Sequence, residues 1–214
     1  MKTEIVKVNP VSPEPEAIRR AAQLVRSGQL VAFPTETVYG VGGNALDPEA
    51  AARLYEAKGR PAGNPLPVLI SDPGQVPSLV ADLAPEAERL IEAFFPGPLT
   101  LVLRAAPSVP EIVTAGTGNV GIRMPDHPIA LAVIRESGMP LTTSSANLSG
   151  LPSPTTAREV LDQLEGRIAM LLDGGPTTIG TASTVLDLTG ESPRILRQGV
   201  ITEAMLRPYL ESAP

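Results

Sequence analysis

Short apolar runs alternate along this chain with longer segments whose apolar residues recur on one helical face, and prolines and glycines stand at most of the boundaries. Residues 15–28 start at a proline, close on a glycine and carry Ile18, Ala21, Ala22 and Val25 at helical spacing, which predicts a helix. A buried strand over 30–33 follows, ended by Pro34 because proline cannot donate to a ladder. Asp47-Pro48 offers an N-cap and a first-turn proline for a helix through Leu54, Tyr55 and Lys58, and Gly59 suits a left-handed exit. That spacing carries Lys58 and Arg60 to the mouth of the helix.

Further strands are predicted over 66–70, 99–104, 120–123, 141–143, 168–172, 184–188 and 194–196. Further helices are predicted over 85–94, 128–136 and 202–210, and from the Thr156/Glu159 capping box to residue 164. Strands alternating with helices of ordinary length indicate an α/β layered fold with helices packed on a twisted sheet. The runs 184–188 and 194–196 lie too close together for a helical crossover, so the sheet is expected to be mixed. No internal repeat, low-complexity tract or polar linker divides the chain, which predicts one domain over 1–214 with its core over 15–200.

Composition narrows the functional classes. Among 214 residues, 43% are hydrophobic and 19% charged, and no apolar run approaches the roughly 20 residues of a membrane-spanning helix. The opening Met1-Lys2-Thr3-Glu4 lacks the apolar core of a secretory signal, so a cytoplasmic protein is expected. The absence of cysteine excludes disulfides, thiolate catalysis and cysteine zinc sites, and a single histidine leaves carboxylates as the main protein ligands for a metal; no protein-built metal site is expected. A formal charge of −6 argues against broad electrostatic capture of a polynucleotide. It is compatible with a small nucleotide held by a local cluster of cations.

Three segments carry candidate chemistry. Residues 33–43 run from an apolar strand into Thr35, Thr37 and three glycines, which reads either as a ligand loop at a strand end or as a structural turn; it is neither a Walker loop nor a dinucleotide fingerprint. Lys58 and Arg60 pair an ammonium with a planar guanidinium beside a stiff loop containing Pro61 and Asn64-Pro65, suited to a polyphosphate; the plainer alternative is two solvated cations at a helix end. Thr142 to Asn147 gives hydroxyls and an amide after an apolar strand, for orienting a substrate or for an Asx turn. Arg123 could clamp a carboxylate and Arg197 could reach a phosphate, while His127, at a helix start with no serine or cysteine partner pattern, reads as structural.

These segments, quoted as Phe33-Pro34-Thr35-Glu36-Thr37-Val38-Tyr39-Gly40-Val41-Gly42, Lys58-Gly59-Arg60-Pro61 and Ser144-Ser145-Ala146-Asn147, resemble in order and wording the YrdC-like threonylcarbamoyl-AMP (threonylcarbamoyladenylate) synthases, with similarity running over 18–197. The resemblance implies a single YrdC-type domain of the short form, with a twisted mixed sheet around a concave cleft. It implies a signature tetrad at Lys58, Arg60, Ser145 and Asn147, ATP contacts at Arg60, Asn64, Asn119, Ser145, Ser153 and Arg197, and threonine contacts at Thr37, Arg123, Thr143 and Ser183. The implied reaction joins L-threonine and bicarbonate or carbon dioxide as N-carboxythreonine, whose carboxylate attacks the α-phosphorus of ATP and expels pyrophosphate. This is the first step of N6-threonylcarbamoyladenosine formation in tRNA.

Magnesium would arrive on ATP, and the product would pass to a downstream threonylcarbamoyl-transferase complex that modifies tRNA, with room for a weak contact to RNA and none to a membrane. One departure stands out. Many relatives carry a histidine in the strand after Asn-Pro-Leu, where this chain has Pro67-Val68-Leu69-Ile70, and Leu69 cannot supply the threonine contact. Two other readings remain open: an RNA-binding module of tRNA or rRNA maturation, and an adenylating relative acting on another carbamate or carbamoyl group.

Overall fold

The computed structural model of the chain describes residues 2–210; residue 1 and residues 211–214 of the expected 1–214 domain lie outside them. The chain opens with β1 (Glu4–Lys7), α1 (Pro15–Arg26), β2 (Val31–Pro34), β3 (Tyr39–Asn44), α2 (Pro48–Lys58) and β4 (Val68–Leu69). It continues with α3 (Pro85–Phe94), β5 (Leu99–Arg104), α4 (Glu111–Thr114), β6 (Asn119–Arg123), α5 (Pro128–Ser137) and β7 (Leu141–Ser145). It ends with α6 (Ala157–Leu164), β8 (Met170–Asp173), β9 (Thr184–Asp187), β10 (Arg194–Arg197) and α7 (Glu203–Leu210).

The ten strands form one mixed sheet in the order β1-β8-β2-β3-β7-β4-β6-β5-β9-β10. β9 and β10 pair antiparallel, as their closeness in sequence requires, while β5 and β9 pair parallel. Several elements begin and end on the residues that the local chemistry picks out. Asp47 accepts from the Glu49 amide at the start of α2, Gly59 leaves α2 at φ 57°, and Thr156 and Glu159 complete a reciprocal capping box on α6. His127 caps α5 by accepting from the Ile129 amide, the structural role expected of it.

Side chains of a strand alternate between two faces, and here the two faces meet different surroundings. On one face Ala32, Tyr39, Val41, Val68, Leu99, Leu101, Leu103, Val120, Ile122, Leu171 and Leu186 join α2, α3, α6 and α7 in a continuous core. On the other face α1 and α5 cover Val31, Phe33, Leu141, Met170 and Leu172, using Ile18, Ala21, Val25, Ile129, Val133 and Ile134. That helix pair does not reach β5, β6 and β9. Their alternate residues Thr100, Val102, Asn119, Gly121, Arg123, Val185 and Asp187 therefore form the floor of a cleft.

The segment 35–43, expected as a loop, divides in two. Residues 35–38 make a tight turn in which the Thr35 amide and hydroxyl both donate to the Val38 carbonyl, and residues from Tyr39 onward form β3, paired antiparallel with β2 and β7. Glycine is used in β3 for close approach: a Cβ on Gly42 would stand 2.4 Å from the Thr142 carbonyl oxygen and 2.5 Å from Thr143 Cγ2. β1 and α4 have no strong pattern in the sequence, and the strand expected over 66–70 shrinks to two residues between prolines and a loop. Gly42→Ala is expected to lower unfolding free energy by about 1–3 kcal/mol, as overpacking does. Urea denaturation checks this, and an unchanged midpoint would show that β3 and β7 can separate freely.

Candidate active site

The cleft encloses about 430 Å³, within the range of ordinary ligand pockets. Its wall begins at the 35–38 turn, where the Thr35 and Thr37 hydroxyls lie 2.9 Å apart. The loop before β9 lies against this turn, with the Ile179 amide donating to the Glu36 carbonyl and the Gly180 amide to the Thr37 carbonyl, both at 2.9 Å. Two hydroxyl-rich segments far apart in sequence are thereby locked side by side. Ser183 bonds the Thr100 hydroxyl at 2.9 Å and accepts twice from Arg197: its carbonyl from Nε at 2.9 Å and its hydroxyl from Nη2 at 3.0 Å.

Three guanidinium groups reach this space. Arg60 is held by Nε donating to the Asn64 carbonyl and Nη2 to the Pro65 carbonyl, at 3.1 and 3.0 Å. Arg123, 8% exposed, donates from Nε to the Gly97 carbonyl and from Nη2 to the Thr37 hydroxyl, and lies 2.7 Å from the buried Glu36 carboxylate. Arg197 belongs to an exposed stretch of β10, yet its guanidinium folds back over the rim; desolvation there and repulsion from Arg123 and Arg60 hold it below its ordinary pKa. Asp187 is the one carboxylate lining the cleft among the described residues, and it is engaged by the Thr189 amide and hydroxyl and by Arg194. Arg60 and Arg197, with no carboxylate partner among the described residues, and Arg123, paired with Glu36, give this space a local excess of positive charge suited to an anion.

Eight of the twelve residues singled out from the sequence line this cleft: Thr37, Arg60, Asn119, Arg123, Thr143, Ser145, Ser183 and Arg197. Lys58, Asn64, Asn147 and Ser153 do not. Lys58, expected at the helix mouth with its charge directed to a polyphosphate, is only 2% exposed, and its ammonium donates to the Ser145 and Asn147 carbonyls while its own carbonyl accepts from the Ser149 amide. It bolts the loop after β7 from beneath. Asn147 turns its amide nitrogen onto the Leu148 and Leu151 carbonyls, so it shapes the same loop, and its buried Oδ1 has no partner among the described residues.

Asn64 was expected to turn an amide toward the cations; instead its side chain is exposed and only its backbone carbonyl serves Arg60 and Tyr55. Ser153 sits on the neighbouring loop, outside the lining. Leu69, where relatives are expected to carry histidine, lies on the floor beside its register partner Arg123 and gives the cleft an apolar wall there. Sequence reasoning gave no role to Glu36, Thr100 or Asp187. Glu36 was visible inside the Pro-Thr-Glu-Thr run, but nothing in the run shows that it meets Arg123.

No group of three or more His, Cys, Asp or Glu side chains able to hold a metal ion occurs among the described residues.

A mixed α/β sheet with a hydroxyl-lined, arginine-bearing cleft over its uncovered half defines the class of this protein. The chain belongs to the Sua5/YciO/YrdC family, whose model, described as telomere recombination, matches residues 23–199. A Bacillus subtilis protein named threonylcarbamoyl-AMP synthase is 51% identical over 194 residues, covering 90% of this chain and 56% of its own length. A Pyrococcus abyssi protein of the same name is 52% identical over 182 residues, covering 85% of this chain and 54% of its own length. The chain thus spans about half the length of these curated relatives. The crystal structure of P. abyssi Sua5 complexed with L-threonine superimposes with a TM-score of 0.89 at 50% identity, over 91% of this chain and 57% of that one.

Burial and the nearby Arg60 push the Lys58 ammonium down to about 7 from 10.5. The unfolded chain therefore binds more protons than the folded one between those values, and stability rises with pH across that window. Lys58→Met, of similar reach but without charge, is expected to flatten that rise. Denaturation midpoints at the two ends of the window read it, and parallel pH profiles for the two proteins would show that Lys58 holds its proton throughout.

Proposed function

We propose that this chain is a threonylcarbamoyl-AMP synthase, forming threonylcarbamoyl-AMP and pyrophosphate from L-threonine, bicarbonate or carbon dioxide, and ATP. The observation that carries the reading is the convergence of Arg60, Arg123 and Arg197 with the hydroxyls of Thr37, Thr143, Ser145 and Ser183 in one cleft. A nucleoside triphosphate needs several charge-assisted donors, and an amino acid needs a cation for its carboxylate with hydroxyls around it. Both sets are present in one continuous space, supported by the names of the relatives and the threonine-bound neighbour.

In this reading Arg60 and Arg197 receive the triphosphate, with Asn119 and Ser145 orienting the nucleotide. Arg123, Thr37, Thr143 and Ser183 receive the threonine side. ATP enters as its magnesium complex, with the ion kept on the phosphates. The threonine amine adds to carbon dioxide, losing a proton, and the resulting carbamate oxygen attacks the α-phosphorus as the bond to pyrophosphate breaks. No protein nucleophile is required; positioning and charge stabilisation supply the rate. The carbamate decomposes in water, so the recessed floor is itself part of the chemistry.

Lys58 and Asn147 act in this scheme by holding the Ser145 loop in place rather than by touching phosphate. Asn64 and Ser153 are given no ligand contact. The product would serve a cytoplasmic transferase complex that modifies tRNA.

Pyrophosphate release is expected to require threonine and bicarbonate together with ATP. Equal release without threonine would remove this assignment in favour of another carbamate, and tight, salt-sensitive tRNA binding with no release would favour an RNA-binding module. Arg60→Ala is expected to fold normally and to lose about 100-fold in kcat/KM for ATP, as when one preorganised charge contact is removed; wild-type kinetics would make it a bystander.

A further inference from the structure

We propose that Glu36 is a positioning residue that both aims Arg123 and cancels its charge, so that this end of the cleft accepts a singly charged carboxylate and disfavours a polyphosphate. The inference rests on the reading above, in which Arg123 meets the amino acid. Glu36 is 6% exposed and is not part of the cleft lining, so its carboxylate stands behind the guanidinium rather than beside the ligand. Its Oε1 lies 2.7 Å from Arg123 Nη2, Arg123 is its one ion-pair partner among the described residues, and neither carboxylate oxygen has a well-aligned hydrogen bond. The backbone of Glu36 is held independently, its carbonyl accepting from the Ile179 amide and the Thr178 hydroxyl.

A guanidinium has five N–H donors in a fixed fork. On Arg123 the Nε donor goes to the Gly97 carbonyl, and Nη2 faces the Thr37 hydroxyl and Glu36. Among the described residues Nη1 has no partner, which leaves it as the edge for a ligand. The other two arginines of the cleft differ in kind: Arg60 holds only the carbonyls of Asn64 and Pro65, and Arg197 only the carbonyl and hydroxyl of Ser183. They keep their full charge, whereas the Arg123–Glu36 pair is neutral. Polyphosphate is drawn to the uncompensated cations, and the α-carboxylate of an amino acid is left the neutral pair and its neighbouring hydroxyls. The direction in which two substrates lie in one cleft is thus set by a carboxylate that touches neither.

The test compares wild type and Glu36→Gln as full-length chains, measuring threonine KM, ATP KM, and inhibition by inorganic pyrophosphate. In the variant threonine KM is expected to rise about tenfold and ATP KM to stay within about twofold, while pyrophosphate inhibits about fivefold more tightly because Arg123 is no longer compensated. A gain in pyrophosphate affinity is what mere structural damage cannot produce. The double variant Glu36→Gln/Arg123→Gln restores neutrality and is expected to return pyrophosphate inhibition to the wild-type level.

Unchanged threonine KM and pyrophosphate inhibition in Glu36→Gln, or equal weakening of all three ligands, overturns the proposal. Should Glu36→Gln fail to fold, Glu36→Asp keeps the charge but retracts it: threonine KM should rise with pyrophosphate inhibition unchanged, and tighter pyrophosphate binding there would overturn the idea. If wild type itself turns over without threonine, the functional reading has failed. Pyrophosphate binding, followed calorimetrically, still decides whether Glu36 compensates Arg123.

Discussion

The structure depends on an unequal covering of one sheet. Ten strands present two faces; one is sealed along its length by a single large core, and the other is covered by α1 and α5 over only part of its width. Where that helix pair stops, the alternation of the strands continues, and Thr100 and Val102 of β5, Asn119, Gly121 and Arg123 of β6, and Val185 and Asp187 of β9 face an open hollow instead of a core. The same strands that bury Leu99, Leu101, Val120, Ile122 and Leu186 on one side display Thr100, Val102, Asn119, Arg123 and Asp187 on the other. Site and core are the two sides of one ladder, which gives the floor of the cleft the rigidity of the sheet.

Charge is distributed over this floor with an economy the net charge conceals. The chain carries −6 overall, yet the cleft gathers three arginines, two of them without a carboxylate partner among the described residues and the third paired with Glu36. None of the three has its guanidinium free to swing, because each is tied to carbonyls or hydroxyls of the surrounding loops. Such preorganised donors lose little entropy when an anion arrives and need no reorganisation as charge develops during reaction. Lys58 contributes to this rigidity from underneath. By binding the Ser145 and Asn147 carbonyls it fixes the turn after β7, a task an ammonium performs well because it has donors only and can serve two acceptors at once.

Family membership and geometry speak to different questions. The relatives place the chain in its family, and the structure shows which side chains line the cleft and which hold its walls. Leu69 illustrates the division: on the floor beside its register partner Arg123 it forms an apolar wall, and the polar groups next to it are the Arg123 guanidinium and the Thr37 hydroxyl that it holds.

Much of the fold was legible in the chain because its signals are local. Caps at Asp47 and Thr156, the left-handed exit at Gly59, the stripe of Ile18, Ala21, Ala22 and Val25, and the short gap between β9 and β10 depend on residues within a few positions of one another. The types of residue in the site were legible for the same reason, as runs of hydroxyls, glycines and cations. Their orientation was not. Lys58 at the end of an amphipathic helix reads as a solvated cation until β7 and its loop are folded over it, and Glu36 reads as one polar residue of a turn until Arg123 arrives from 87 positions along the chain. Burial and ion pairing are properties of surfaces that long-range strand pairing brings together, so tertiary structure alone decided which cation lines the cleft, which one holds a loop and which one pairs with a buried carboxylate.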